Sequence, residues 1–316
     1  MHFDIDSRTI LLVLHGSHAY GLNTPESDRD EKGVCIKPKE CYFGFTRKFE
    51  QQEHMGGKTD GVDRVIYSLE KFASLAADCN PNIIEMLWVN DSDVLKCDEY
   101  GQILRDNRSA FLSRKAKFTF SGYAFAQLKR IKTHRAWLLN PPKEEPTRKS
   151  FGLSEVTKVS KSELGAYDSM LAGGIEVSLP KDVITLFVRE KAYQAAKAHY
   201  DQYINWKKTR NPKRAAMEEK FGYDGKHAGH LIRLLKMCKE ILTLGVVIVK
   251  RIEDREEILA IRNGNLSYDA LIEMSEKLEA ECDALYETSP LPREPNRNKV
   301  DDMVVKMTEE YLCKYG

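Results

Sequence analysis

H-G-S-H-A-Y-G-L-N-T-P-E-S-D-R-D-E-K-G-V, residues 15–34, is the stretch whose reading decides the fold. It follows the apolar run Ile10-Leu11-Leu12-Val13-Leu14, which reads as a central strand, and it sets Gly16-Ser17 directly after that run. A Gly-Ser turn leaving a buried strand exposes backbone N–H groups and a hydroxyl, which can hold phosphates. After a spacer of ten residues come Asp28 and Asp30. Residues i and i+2 of a strand point to one face, so the two carboxylates converge while Arg29 points away. Carboxylate oxygens suit a hard divalent cation, Mg²⁺ or Mn²⁺. By itself an Asp-x-Asp is more often a solvated surface pair. Here the upstream Gly-Ser raises its standing.

The pattern of apolar strand, Gly-Ser, spacer and Asp-x-Asp resembles the polymerase-β-like nucleotidyltransferase superfamily. S-D-R-D-E-K-G-V preceded by G-S-H-A-Y-G is similar to one branch of it, the predicted nucleotidyltransferases associated with RNA repair. The superfamily usually places an apolar residue between the two acids, where this chain has Arg29. The run T-D-G-V-D-R-V-I-Y-S-L-E-K-F alternates from Val62 to Tyr67, with Asp63, Val65 and Tyr67 on one face. A strand-head Asp beside the Asp28 strand is where the superfamily puts its third carboxylate, which implies Asp63. Asp60, before Gly61, is the rival and fits a turn residue better. The expected metal set is therefore Asp28, Asp30 and Asp63.

With 316 residues the chain is long enough for two domains. Its 42% apolar and 31% charged content describes an ordinary folded protein. A formal net charge of +1 excludes a globally basic nucleic-acid coat but leaves room for a local basic groove. The seven cysteines are scattered without C-x-x-C or zinc spacing and read as buried small hydrophobes in a reducing compartment. No signal-peptide layout and no bilayer-length apolar run is present, so a cytosolic (cytoplasmic) protein without membrane contact is expected.

Residues 37–59 read as a long loop or hairpin. Ser68 is placed to cap a helix over 69–78. Asn80-Pro81-Asn82 then stops it and starts another through Trp88, with Asn80 as the stop and Asn82 as the cap. This N-P-N-I-I-E-M-L-W run also resembles the branch, and Glu85 is placed to support the site. Beyond about residue 113 helical periodicity takes over. Tyr123, Gln127, Arg130 and His134 make a polar stripe on one helix. Its surroundings from Arg114 to Arg135, with Trp137 at the end, suit a nucleotide or nucleic-acid groove, and Gln127 and Arg130 are its candidate nucleotide contacts. Pro141-Pro142 ends that helix, and residues 143–165 read as a mobile connection. A helix over Val183 to Trp206 precedes the cationic run K-K-T-R-N-P-K-R, residues 207–214, which by type is a solvated linker.

In F-G-Y-D-G-K-H-A-G-H-L-I-R-L-L-K-M, Lys226, His230 and Arg233 share a helical stripe opposite Leu231, Leu234 and Leu235. It resembles the K-H-A-x-H-L-x-R-L helix of the branch, which implies contact with the nucleotide. His227 and His230 could instead suggest a metal, but lack an acidic third ligand at suitable spacing. I-R-N-G-N-L-S-Y and L-P-R-E-P-N also look like the branch and read as structural, before a last helix from Asp301.

The expected fold is α+β: a small mixed β-sheet core with flanking helices over residues 1–112, then a mainly α-helical domain, 113–316, closing the nucleotide cleft and binding the acceptor. The resemblance implies a metal-dependent nucleotidyltransferase that takes an NTP, ATP first among them, with Gly16 and Ser17 holding its tail phosphates. RNA is the favoured acceptor. A protein or small-molecule acceptor, a non-catalytic nucleotide- or RNA-binding member, and a glycosyltransferase using its Asp-x-Asp on a nucleotide sugar are the alternatives, because fold does not fix function.

Overall fold

The computed structural model describes residues 3–25, 27–56, 61–156, 158–173 and 179–316. Asp60 lies outside the described residues. The strands are Thr9–His15 (β1), Arg29–Cys35 (β2), Gln51–Met55 (β3), Val62–Ser68 (β4) and Val94–Cys97 (β5). They form one sheet in the order β3-β4-β2-β1-β5. β2 runs parallel to β4 and the other neighbours are antiparallel, so the sheet is mixed as expected.

Two short helices, Gly16–Ala19 (α1) and Lys39–Phe43 (α2), lie among the first strands. Leu69–Ala77 (α3), Pro81–Ile84 (α4) and Glu99–Asp106 (α5) flank the sheet. The remainder is helical: Ala116–Leu139 (α6), Lys161–Ala172 (α7), Lys181–Thr209 (α8), Pro212–Phe221 (α9), Gly225–Leu244 (α10), Arg255–Arg262 (α11), Tyr268–Thr288 (α12) and Arg297–Tyr315 (α13).

Local chemistry explains the element ends. Ser68 closes β4 and caps α3 by accepting from the Lys71 N–H, as its position predicts. The next cap differs from expectation. Asn80 rather than Asn82 caps α4, its side-chain oxygen accepting from the Asn82 N–H at 3.0 Å. Pro81 is the reason: a proline is preorganised for the first helical position, so the cap falls on the residue before it. Residues 37–59 supply α2 and the edge strand β3, whose five residues are all exposed and so carry no alternation to read.

The described chain gathers into two compact units, Met1–Ile131 with Tyr223–Gly316, and Lys132–Gly222. In the first, Ile10, Leu11, Val13, Val34 and Ile36 of the sheet are buried with Phe72, Ile84, Met86 and Leu87. There α10 packs on α11 and α12, and α13 on α3. The second is closed around the rings of Trp137, Tyr203 and Trp206. It also holds a buried Arg148–Glu190 pair, with both guanidinium contacts at 2.8 Å. The 207–214 run is part of this unit's structure rather than a linker: Arg210 lies 4.4 Å over the Trp206 ring and donates to Glu218. Five cysteines are buried as expected, but Cys97 and Cys313 are exposed free thiols. Among the described residues no helix is long and apolar enough to cross a membrane.

Candidate active site

Strand register builds the site. His15 of β1 stands opposite Asp30 of β2, and Asp30 stands opposite Asp63 of β4. Paired residues share a sheet face, so these side chains form a row across three strands; strand parity adds Lys32 to the same side, and Asp28, just ahead of β2, is close enough for its charge to be felt at Asp30. Asp28 is exposed, while Asp30 and Asp63 are half-buried. Burial raises the Asp30 pKa, and the like charges of Asp63 and Asp28 raise it further against the opposing Lys226 and Lys32. Asp63 Oδ1 accepts from the Gly56 N–H at 3.2 Å. Arg29 points away, as parity predicts, and shares Glu31 with Arg64 at 2.8 and 2.7 Å.

The donor set is hard oxygen whose members repel one another, which is the chemistry that takes up a divalent cation. Among the described residues no three His, Cys, Asp or Glu side chains are gathered closely enough to hold a metal ion by themselves. Asp28, Asp30 and Asp63 therefore fit such an ion by donor type rather than as a preassembled cage.

Gly16 and Ser17 open α1 straight from β1, and the N-cap His15 places no side-chain hydrogen bond on the helix. Gly16 has φ +63, and a Cβ there would stand 2.2 Å from Asp30 Oδ2. Only glycine lets the turn lie against the carboxylate. Gly16→Ala is expected to displace Asp30, lowering turnover about a hundredfold and stability by about 1–2 kcal/mol. Initial rates and urea unfolding would check this, and unchanged rates would show that the close approach is not needed.

The end of that turn is held by three successive carbonyls. Tyr20 O accepts from the Arg251 N–H at 3.0 Å, Gly21 O from Arg255 Nε at 2.8 Å, and Leu22 O from Arg262 Nη1 at 2.9 Å. Arg262 belongs to the I-R-N-G-N-L-S-Y run, so that run's structural part is to staple the segment that follows α1.

Behind the row lies a buried polar hub at Glu85, which is 0% exposed. Arg233 Nη1 donates to its Oε1 at 2.8 Å and Tyr20 Oη to its Oε2 at 2.6 Å. The Arg233 guanidinium also lies 3.7 Å from the Tyr20 ring centroid. His15 Nε2 comes within 3.5 Å of Glu85 Oε2. Burial and the nearby Lys32 and Arg233 cations hold that imidazole neutral, so the approach is not an ion pair.

Lys32 Nζ donates to the Asn82 carbonyl at 2.9 Å. Burial lowers its pKa from 10.5 to about 8, against the favourable charges of Glu85 and Asp30. The unfolded chain therefore binds the Lys32 proton more tightly, and the folded state carries the full penalty below about pH 8. Lys32→Met is expected to raise stability at pH 7 by ~2 kcal/mol, a gain fading toward zero as pH approaches the unfolded value. Thermal melts across that range would check it; a loss at pH 7 would mean that the Asn82 bond and the Glu85 charge outweigh burial.

α10 starts at Asp224, which caps it by accepting from the Lys226 and His227 N–H groups. Leu231, Leu234 and Leu235 are buried as expected. The expected cationic stripe divides. Lys226 is exposed and its charge reaches Asp30, whereas Arg233 is only 3% exposed and engaged by Glu85. His230 is half-buried and neutral, its pKa pushed down to about 3 by burial and then by Arg233, His227, Lys226 and Arg130. The stripe on α6 is partly engaged. Gln127 is buried and its Oε1 accepts from His227 Nδ1–H at 2.8 Å, Tyr123 Oη accepts from Asn80 Nδ2 at 3.0 Å, and Arg130 is exposed.

Sequence reasoning missed Lys32, His15 and Tyr20. The parity of D-x-D-x-K could have found Lys32; nothing local marks the other two.

Residues 2–141 match the RlaP model, described as an RNA repair pathway DNA polymerase beta family. Over that segment the chain is similar to the polymerase-β-like nucleotidyltransferase branch linked to RNA repair. One relative is the uncharacterized 38.9 kDa protein in the nrdC-mobD intergenic region of Enterobacteria phage T4. It is 33% identical over 132 residues, covering 38% of this chain and 38% of the phage protein. The match thus spans well under half of that relative. No solved structure matches the chain.

Proposed function

We propose that this protein transfers a nucleoside monophosphate from an NTP, with ATP the expected donor, to a hydroxyl of an RNA, releasing pyrophosphate. One observation carries the reading: Asp30 stands in register with Asp63 while the Gly16 backbone lies against its carboxylate. The Gly16-Ser17 turn and two carboxylates are thereby brought to one spot, which is what this reading needs.

In this reading Asp28 and Asp30 hold Mg²⁺ or Mn²⁺, with Asp63 beside them. When bound, such ions neutralise the departing pyrophosphate and acidify the attacking hydroxyl. The Gly16 N–H and the Ser17 hydroxyl hold the tail phosphates. Lys226 and Arg130, both exposed, supply positive charge to the triphosphate, and His230 offers a neutral imidazole beside them. Gln127 orients His227, and Arg233 supports the turn from behind through Tyr20. Positioning and charge compensation do most of the work in phosphoryl transfer.

The test is incubation with each α-labelled NTP, Mg²⁺ and bulk RNA, alongside the Asp28→Asn/Asp30→Asn protein. Label entering RNA only with the intact acids supports the reading and identifies the nucleotide. Label on protein or a small molecule moves the acceptor, and NTP binding without pyrophosphate release under any condition overturns the catalytic assignment.

A further inference from the structure

The site uses the face of α6 that carries Gln127; the opposite face has no assigned role. α6 reads A-K-F-T-F-S-G-Y-A-F-A-Q-L-K-R-I-K-T-H-R-A-W-L-L and contains no Asp or Glu, against Lys117, Lys129, Arg130, Lys132 and Arg135. Ala116, Phe120, Ala124, Leu128 and Ile131 form its buried side. On the other side Phe118 and Phe125 are 56% and 60% exposed, and Gly122 and Lys129 are exposed with them. Positions 118, 122, 125 and 129 follow the i, i+4, i+7, i+11 spacing of a single helical face. The two phenyl rings are therefore about 10 Å apart along the axis. Gly122 lies between them, and a Cβ there would meet nothing within 4 Å, so the gap is open.

Two large exposed rings lined up on one helix face make an apolar strip of the kind that marks an interaction site. Charge says what kind of partner fits. The side chains of Lys129 and Arg130 make no hydrogen bond or ion pair among the described residues. Of the acids of α12 near the strip, Asp283 is paired with Lys117, which also feels Glu279 and whose ammonium lies 5.2 Å from the Phe118 ring centroid. Tyr286 of α12 sets its ring edge-on to Phe118 at 5.2 Å, extending the aromatic strip. Aromatic faces flanked by unopposed cations match unpaired bases and their phosphates. A duplex keeps its bases stacked on one another and offers no free face to Phe118 or Phe125. Arg130 continues the strip toward the site, since its charge is felt at His230.

We infer that the exposed face of α6 docks single-stranded RNA, with bases stacking on Phe118 and Phe125 and a phosphate paired to Lys129. This deepens the function proposed above and rests on RNA being the acceptor.

The test is fluorescence anisotropy of a labelled, unstructured single-stranded RNA titrated with the full chain. Phe118→Ala/Phe125→Ala and Lys129→Glu would be compared with wild type over a series of salt concentrations. All three changed residues are solvent-facing, so circular dichroism melts should be unchanged. The double Phe variant is expected to weaken binding about tenfold or more. Lys129→Glu should weaken it several-fold and flatten the salt dependence. Equal binding by wild type and both variants, or a preference for duplex RNA, would overturn the inference. So would a dimer of wild type that Phe125→Ala dissociates, because the face would then belong to a second copy. RNA bound through these residues without nucleotide transfer would sink the catalytic reading alone. Transfer into RNA that is indifferent to all three substitutions would sink only this one.

Discussion

Asp30→Asn is expected to reduce nucleotidyl transfer by a factor on the order of a thousand or more while leaving the fold at least as stable as wild type near neutral pH. The two effects share one cause. Asp30 is half-buried beside Asp63 and Asp28, and its pKa is raised from 3.8 by burial first and by those like charges next. The folded protein therefore holds the Asp30 proton more tightly than the unfolded chain does. That linkage stabilises the fold fully below the unfolded value of 3.8 and is lost as pH rises through the higher folded value. Near neutrality the ionised group is a burden that asparagine removes, so the variant's advantage should close on acidification. Transfer of α-labelled nucleotide, together with denaturant unfolding at several pH values, reads both effects. Retained activity would show that Asp30 does not hold the cation.

Arg233→Met should have the largest effect on stability, about 3–5 kcal/mol. It leaves Glu85 buried with one carboxylate oxygen facing no cation and removes the cover of the Tyr20 ring. The loss is mostly the penalty of an uncompensated buried charge, so a second substitution should restore part of it. Glu85→Leu/Arg233→Met is expected to be more stable than Arg233→Met alone. Equilibrium urea unfolding of the single and double variants gives the coupling. If the double variant is no better than the single one, the hub is held together by packing rather than by charge. Tyr20 follows directly on α1, so loosening this hub should also raise the KM for NTP.

Much of the site could be anticipated because its signals are local. Asp30 owes its face to strand parity, Asp28 stands one residue ahead of β2, and Asp63 stands at the head of a strand that alternates visibly. Ser68 was recognisable as a cap because a cap acts within three residues. Where the signal was spread across the chain the reading fell short. β3 has no buried side, so only its pairing with β4 makes it a strand. Arg233 sits at the right helical spacing for a cationic stripe, but Glu85 and Tyr20 turn it inward from distant parts of the chain.

By itself, the sequence determined the chemistry available: a glycine turn after a buried strand, two carboxylates on strand positions with a third just ahead of β2, and an α6 without acids. Periodicity and spacing are properties of neighbouring residues, and they survive without any tertiary contact. Tertiary structure decided what those residues face. Register between strands set Asp30 against Asp63, the close approach of Gly16 made its missing side chain a requirement, and packing buried Glu85 with its partners. Residues 223–316 join the sheet's own unit and so bring Arg251, Arg255 and Arg262 to the carbonyls of Tyr20, Gly21 and Leu22. Burial and long-range hydrogen bonds depend on the whole chain being folded, which is why no window of sequence announces them.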